Sequence, residues 1–363
     1  MDKRNYGIDL LRIIAMFMVV ILHCFTGGGL IDNCTFGTPE SYVTWLMTII
    51  NYAGVNIFAL ISGYVAFYSE GKKVDYSRYF ELWFEVVFYG ILLNVVIGLV
   101  NPDYRLASNY ISALMPVSGV MYWYFCAFTG LYVMKPLIDK GLSNLSEDVL
   151  KKFVVVLFLA FMLISTFSNA YVFNLGYTAF WLIVLYIVGY GINKCKLLAK
   201  LNSIKLILII LSMIIVSFAL MFIIPDATIG HMNFIKNMFV VYTSPTIIMY
   251  AVCMVVLFSR IKIGPKVGKV ISVVSPAAFA IYLVDCHPLF WDLIVKDAYM
   301  NLVNAGVGAI LSSVFAFSIP LCIFVLMFDI LRIRVFKMCM VDKLADQVEK
   351  ALRGLVRKIA ASL

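Results

Sequence analysis

A chain of 363 residues that is 63% hydrophobic and 13% charged, with a mean hydropathy of +0.97, carries more apolar surface than a soluble core absorbs. It reads as an all-α polytopic membrane protein. The net charge of +9 is no nucleic-acid signal, because it collects in alternate loops on one side of the membrane, where it favours anionic lipid head groups and phosphorylated ligands.

Apolar stretches of spanning length, about 20 residues, fall at 8–28, 43–67, 80–100, 119–138, 152–172, 177–193, 204–224, 235–258, 272–292 and 306–331, ten in all. The first, IDLLRIIAMFMVVILHC, contains Asp9, Arg12 and His23. Eleven steps of about 100° put Arg12 and His23 on one helical stripe, roughly 16 Å apart along the axis. Asp9 sits a turn before Arg12, at i,i+3 pairing distance. Charges in a membrane helix usually face a bundle interior, a cavity or a partner. The plainer reading has Asp9 and Arg12 marking the cytosolic end, with Arg12 snorkelling to lipid phosphates. This span lacks a small-residue cleavage site and reads as a retained helix, not a signal peptide.

The third span opens with Arg78, Glu81 and Glu85 at i,i+3 and i,i+4 steps, a spacing that lets them pair; either glutamate could also neutralise Arg12 across helices. The fourth opens with Tyr122, Trp123 and Tyr124, which suit an interfacial aromatic belt. Ser168, Asn169 and Asn174 form a polar break between spans five and six. The ninth ends in AIYLVDCHPLFW, where Asp285 is expensive to bury unless partnered and His287 follows two residues later. The C-terminal stretch MCMVDKLADQVEKALRGLVRKIAASL has aliphatic residues at helical spacing with bases between them, and predicts an interfacial helix whose role is membrane anchoring.

Lysine and arginine set the orientation. With a cytosolic N-terminus, the cytosolic segments hold 25 of the 29 bases, three (Arg105, Lys236, Lys296) fall outside, and Arg12 lies within a span. Alternation at every loop supports ten spans with both termini in the cytosol.

The eight cysteines include no Cys-x-x-Cys pair or Cys/His cluster of metal-ligand spacing. No Walker or dinucleotide motif is present. Intramembrane polar groups sort into two sets. Toward the outside lie His23, the Tyr122–Tyr124 cluster, Asp285 and His287; toward the cytosol lie Asp9, Arg12, Arg78, Glu81 and Glu85. Histidine takes a proton from a hydroxyl near neutral pH, and a carboxylate on its other ring nitrogen fixes the tautomer. Asp285 is the candidate for that second part.

RNYGIDLLRIIAMFMVVILH, with ten residues between arginine and histidine, resembles the first helix of the acyltransferase-three family, integral-membrane O-acyltransferases of cell-surface carbohydrates. AGVNIFALISGYVAF, YWYFCAFTGLYVMKPLI and AIYLVDCHPLF resemble the later motifs of that family, in order, so the likeness runs from residue 5 to about 292. Two positions depart from it: Glu81 stands where many members carry a second arginine three residues after the one matching Arg78, and Asp285 stands in the usual histidine position with His287 two residues later, which leaves the role of that histidine open to either.

The resemblance implies transfer of an acyl group, acetyl above all, from cytosolic acetyl-coenzyme A to a hydroxyl of an envelope glycan or lipid-linked saccharide, by a multi-pass protein of the cell membrane. Residues 1–335 would form the acyltransferase domain and 336–363 the cytosolic amphipathic helix. His23 would be the general base or a transient acyl carrier, and Asp285 its orienter. Arg12 and Arg78, with Trp123, Tyr124, Tyr282 and His287, would bind donor or acceptor, and Asp9, Glu81 and Glu85 would supply ion pairs. A thioester already has a good leaving group, so no metal is expected. The competing class is a secondary transporter, since intramembrane Asp, Arg and His also serve proton relays. Against it, the charges of spans one and three have no counterparts in spans six to eight, so no inverted repeat is visible.

Overall fold

A computed structural model describes residues 4–167, 174–223 and 239–362, which are all-α and contain no strand. Lys3, Ser168, Asn169 and Lys236 lie outside the described residues. Helix α1 (Tyr6–Phe25) starts where the Asn5 side chain accepts from the Gly7 and Ile8 amides, an N-cap that satisfies donors with no intrahelical partner. After a short turn, α2 (Leu30–Asn33), comes α3 (Pro39–Ala66), capped by Thr38 with Pro39 in its first turn. Then follow α4 (Ser77–Val100), α5 (Ala107–Leu114), α6 (Trp123–Asn144) and α7 (Glu147–Phe167). Next are α8 (Ala179–Lys194), α9 (Ser203–Ile223) and α10 (Pro245–Ser259).

The helices α1 and α3 run together through the centre, and α3 also packs along α8. At the α3–α8 crossing a Cβ on Gly63 would stand 1.9 Å from the Tyr186 carbonyl oxygen, and one on Gly189 would stand 2.1 Å from that of Leu60. Backbones approach this closely only through glycine, the small-residue packing that joins helices where lipid removes the hydrophobic drive. The outer helix α9 carries exposed Ile204, Leu208 and Ile215, apolar side chains that suit lipid contact.

The ninth apolar stretch, 272–292, is not one straight helix. Pro276 sits in a 3-10 turn (Ser275–Ala277) between α11 (Pro265–Val274) and α12 (Ala278–Asp285), because proline removes an amide donor and crowds the preceding turn. All eight residues of α12 are buried, and the helix packs against α1, α4 and the long C-terminal helix of the bundle. A further turn, α13 (Pro288–Phe290), precedes that long helix, α14 (Val307–Met338), and the amphipathic α15 (Val341–Ser362) follows after Met340 in left-handed conformation, φ 57°.

Among the described residues six helices are long and apolar enough to cross a membrane: Tyr6–Asn33, Pro39–Ser69, Ser77–Val100, Ser203–Phe222, Pro265–Asp285 and Val307–Met338. Ala179–Lys194 and Pro245–Ser259 are shorter apolar helices. The 3-10 turn Asn174–Gly176 lies within the expected break between α7 and α8.

Candidate active site

His23 occupies the last turn of α1 and Asp285 ends α12, and the kink at Pro276 lets the two helix ends meet. Nδ1 of His23 lies 2.5 Å from Oδ2 of Asp285. With the carboxylate ionised, Nδ1–H donates and Nε2 is left as the basic nitrogen. The Asp285 side chain is 1% exposed and that of His23 14%. The second carboxylate oxygen, Oδ1, has no hydrogen-bond partner among the described residues, so its charge is not spent elsewhere.

Cys286 Sγ stands 3.8 Å from His23 Nδ1, and His23, Asp285 and Cys286 are spaced as a possible ligand set. Tetrahedral zinc with 2.0 Å bonds holds its ligand atoms about 3.3 Å apart. The 2.5 Å separation of Nδ1 and Oδ2 is a hydrogen-bond distance.

Beyond Cys286 the chain leaves the helix. His287, which precedes a proline, is extended at φ −64° and ψ 128°, as that position favours. The bend carries His287 away from His23. It is fully buried against α4, with Nε2 3.4 Å from the Gly90 carbonyl, and Nδ1 has no partner among the described residues. Of the expected outer set, Asp285 meets His23, whereas His287 sits against α4 and the Tyr122 ring.

The chain then forms a π-helical turn, Trp291–Val295, a deviation often found at functional sites. Its Trp291 ring meets the His23 ring edge-on, with centroids 5.1 Å apart and planes at 86°. A Cβ on Gly27 would stand 2.3 Å from that indole, so glycine here is what lets Trp291 close over the histidine. Neither Trp291 nor the π turn was singled out from the sequence, where an isolated tryptophan near an interface reads as part of an aromatic belt.

The start of α6 is tied to the same helix end. The Tyr124 amide donates to the Tyr282 hydroxyl at 3.1 Å, and the Tyr122 hydroxyl donates to the Leu283 carbonyl at 3.0 Å. Trp123 faces away, packing on Tyr177 and Tyr242 with centroids 4.6 and 6.0 Å away. Asn56, fully buried in α3, donates to the Tyr242 carbonyl at 2.6 Å and accepts from the Trp181 indole at 3.2 Å. That asparagine lies inside AGVNIFALISG, where an amide in mid-span signals a buried partner.

Arg12, at the other end of the stripe, is 3.7 Å from Asp9 as the i,i+3 spacing predicts, and donates to Ser275 Oγ at 3.3 Å. Asp9 also receives Arg4 Nε at 2.5 Å. Arg12 and Arg78 line one cavity of about 500 Å³, together with Lys72, Lys73, Lys135 and Asp139.

The glutamates behave differently from expectation. Arg78 pairs with Asp75 at 3.3 Å, not with Glu81. Glu81 is exposed and has no ion pair among the described residues. Glu85 lies 3.2 Å from Arg332 of α14, not near Arg12. Arg332 also grips Asp329 at 2.6 and 3.0 Å, and Tyr89 donates to Asp329 at 2.9 Å. Arg332 and Asp329 belong to a helix whose sequence gave no sign of pairing with α4.

Between the two ends lies a packed aromatic seam. Phe58 contacts Tyr124 and Phe279 at 5.8 and 6.1 Å between centroids, and Tyr124 contacts Tyr282 at 6.0 Å. A basic cavity and a carboxylate-held histidine thus occupy opposite ends of one helix. No curated protein and no solved structure matches the chain. Residues 5–328 match the acyltransferase-three family, described as an acyltransferase domain. Nearly the whole chain is covered, both ends of the α1 stripe included, and this multi-pass membrane protein belongs to that family of acyltransferases.

Proposed function

We propose that the protein is an O-acyltransferase of the cell membrane with ten spans and cytosolic termini. It transfers an acetyl group from cytosolic acetyl-coenzyme A to a hydroxyl of an envelope glycan or a lipid-linked saccharide. The observation that carries this reading is the layout of α1: the His23–Asp285 pair at one end and the basic Arg12 cavity at the other. The separation of about 16 Å along the axis suits a donor whose anionic groups stay at the cytosolic mouth while its extended thioester arm reaches inward.

In this reading His23 Nε2 takes the proton of the acceptor hydroxyl as the oxygen attacks the thioester carbonyl carbon. The tetrahedral intermediate collapses with cleavage of the C–S bond, and the imidazolium returns its proton to the leaving thiolate. Asp285 holds the tautomer and stabilises the imidazolium while the proton is on loan. Trp291 covers the ring edge and limits water, which would otherwise compete as acceptor. Arg12 and Arg78 offer planar guanidinium donors to phosphate oxygens. Membership of an acyltransferase family does not favour the transporter alternative.

The test uses purified protein in lipid nanodiscs with acetyl-coenzyme A, following release of the free thiol with and without a saccharide acceptor. Wild type should release thiol, and His23→Ala should lose a factor of about 10² or more, the usual contribution of a general base. Retention of more than about a tenth of wild-type turnover would remove His23 from the chemistry.

A further inference from the structure

We propose that the C-terminal helix α15, which lies beyond the residues matched to the family, completes a phosphate-binding end for the acyl donor, with Arg353, Lys72, Lys73 and Lys140 as its cations. The proposal rests on reading the Arg12 cavity as the donor site, and adds where the nucleotide end of the donor goes.

A second cavity, about 340 Å³, is lined by Lys72, Lys73, Tyr76, Lys140 and Arg353. It shares Lys72, Lys73, Val74 and Asp139 with the Arg12 cavity, so the two form one trough. Coenzyme A is elongated, with its thiol at one end and a pyrophosphate and 3′-phosphate toward the other. If the thioester points past Arg12 toward His23, with the pyrophosphate beside Arg12 and Arg78, the 3′-phosphate falls toward the far end of the trough.

The three lysines there are uncommitted: among the described residues no carboxylate pairs with Lys72, Lys73 or Lys140. Arg353 is held in place. Its Nη2 donates to the Val74 carbonyl at 2.8 Å and to Glu349 Oε1 at 2.6 Å, and Glu349 accepts the Tyr76 amide at 3.2 Å. The guanidinium also sits over the Tyr76 ring, 5.5 Å from its centroid. Through these contacts α15 fixes the 72–76 segment that carries two of the lysines, while Arg353 keeps further N–H donors for an anion.

A larger cavity of about 880 Å³, lined by Arg4, Arg260 and Lys262, is a poorer phosphate site. Arg4 is already bound to Asp9, and both terminal nitrogens of Arg260 donate to carbonyls, at 2.5 Å to Leu201 and 2.9 Å to Leu198.

Anionic lipid head groups offer the same phosphate chemistry, so the experiment separates them. Full-length protein in phosphatidylcholine nanodiscs is titrated calorimetrically with coenzyme A and with its 3′-dephospho form, and the titration is repeated with phosphatidylglycerol added. Arg353→Gln and Lys140→Ala should each weaken coenzyme A binding about tenfold, the scale of one lost charge-assisted contact, and should reduce the preference over the dephospho form. Lys140 has no hydrogen bond from its amine among the described residues, so its variant is free of folding effects on α15.

Wild-type affinity in both variants, with Arg12→Ala still weakening binding, overturns the proposal and leaves the donor reading intact. No coenzyme A binding by wild type overturns both. Binding of phosphatidylglycerol that falls in the variants while coenzyme A affinity holds would assign the site to lipid and overturn the proposal as well.

Discussion

Two histidines come from the same pair of helix ends, yet their surroundings assign them different work. His23 has a carboxylate on Nδ1, partial exposure and an indole at its edge, whereas His287 is sealed in, with Nε2 near a backbone carbonyl and its ring against Tyr122. Asp285→Asn keeps the shape and removes the charge, so the imidazolium loses its stabilising partner and the tautomer is no longer fixed. Turnover should fall by about 10² or more, as when other base-orienting carboxylates are neutralised, with little change in thermal midpoint. His287→Ala should reverse the pattern, because emptying a buried site costs a few kcal/mol while the reacting atoms stay in place. The midpoint of detergent-solubilised protein should drop, and turnover per folded molecule should stay within a few fold of wild type. Full activity in Asp285→Asn would break the pairing on which the proposed chemistry depends.

At the scale of elements, the strongest unanticipated feature is the ionic lock between α4 and α14. Glu85, Asp329 and Arg332 have side chains at most 9% exposed, in helices that otherwise present apolar faces. One guanidinium serves two carboxylates, and Tyr89 closes the network. Removing the shared cation leaves two buried acids facing each other, a loss of about 3–5 kcal/mol in comparable buried pairs. Arg332→Ala should therefore lower the unfolding midpoint markedly, and the double variant Arg332→Met with Glu85→Gln should recover part of it, because only one of the two acids then keeps a charge and the methionine refills the volume of the arginine stem. Thermal unfolding followed by tryptophan fluorescence checks both. Equal midpoints for wild type and Arg332→Ala would mean that the network is solvated and carries no lock. The lock also explains why Glu85 is unavailable to Arg12, whose charge is answered by Asp9 on its own helix.

For the molecule as a whole, local pattern and long-range pairing were legible to very different degrees. The α1 stripe and the Asp9–Arg12 pair follow from helix geometry within one segment, so residue spacing alone predicts them. The Glu85–Arg332 bond, the Trp291 lid and the seat of His287 depend on which helices become neighbours, and hydropathy says nothing about that. The contact of Asp285 with His23 was reachable because an acid in an apolar run demands a partner and few were on offer at that end. The ten-span count is a different kind of inference, resting on length and charge, while six described helices meet the length and hydropathy of a span. It is tested by placing single cysteines, in a background with the native ones removed, at Lys140, Lys200, Asn33 and Lys296. An impermeant maleimide on intact cells should label only Asn33 and Lys296, and the other two only after lysis, because the 25-to-3 split of bases places loops rich in lysine and arginine in the cytosol. The result bears on the chemistry: Lys140 lines the proposed phosphate trough, and a cytosolic donor must meet it there. Labelling at position 200 from outside would show that the 16-residue helix Ala179–Lys194 does not cross as drawn. Labelling at position 140 from outside would put the trough on the wrong side for a cytosolic acyl-coenzyme A and remove that donor from the mechanism.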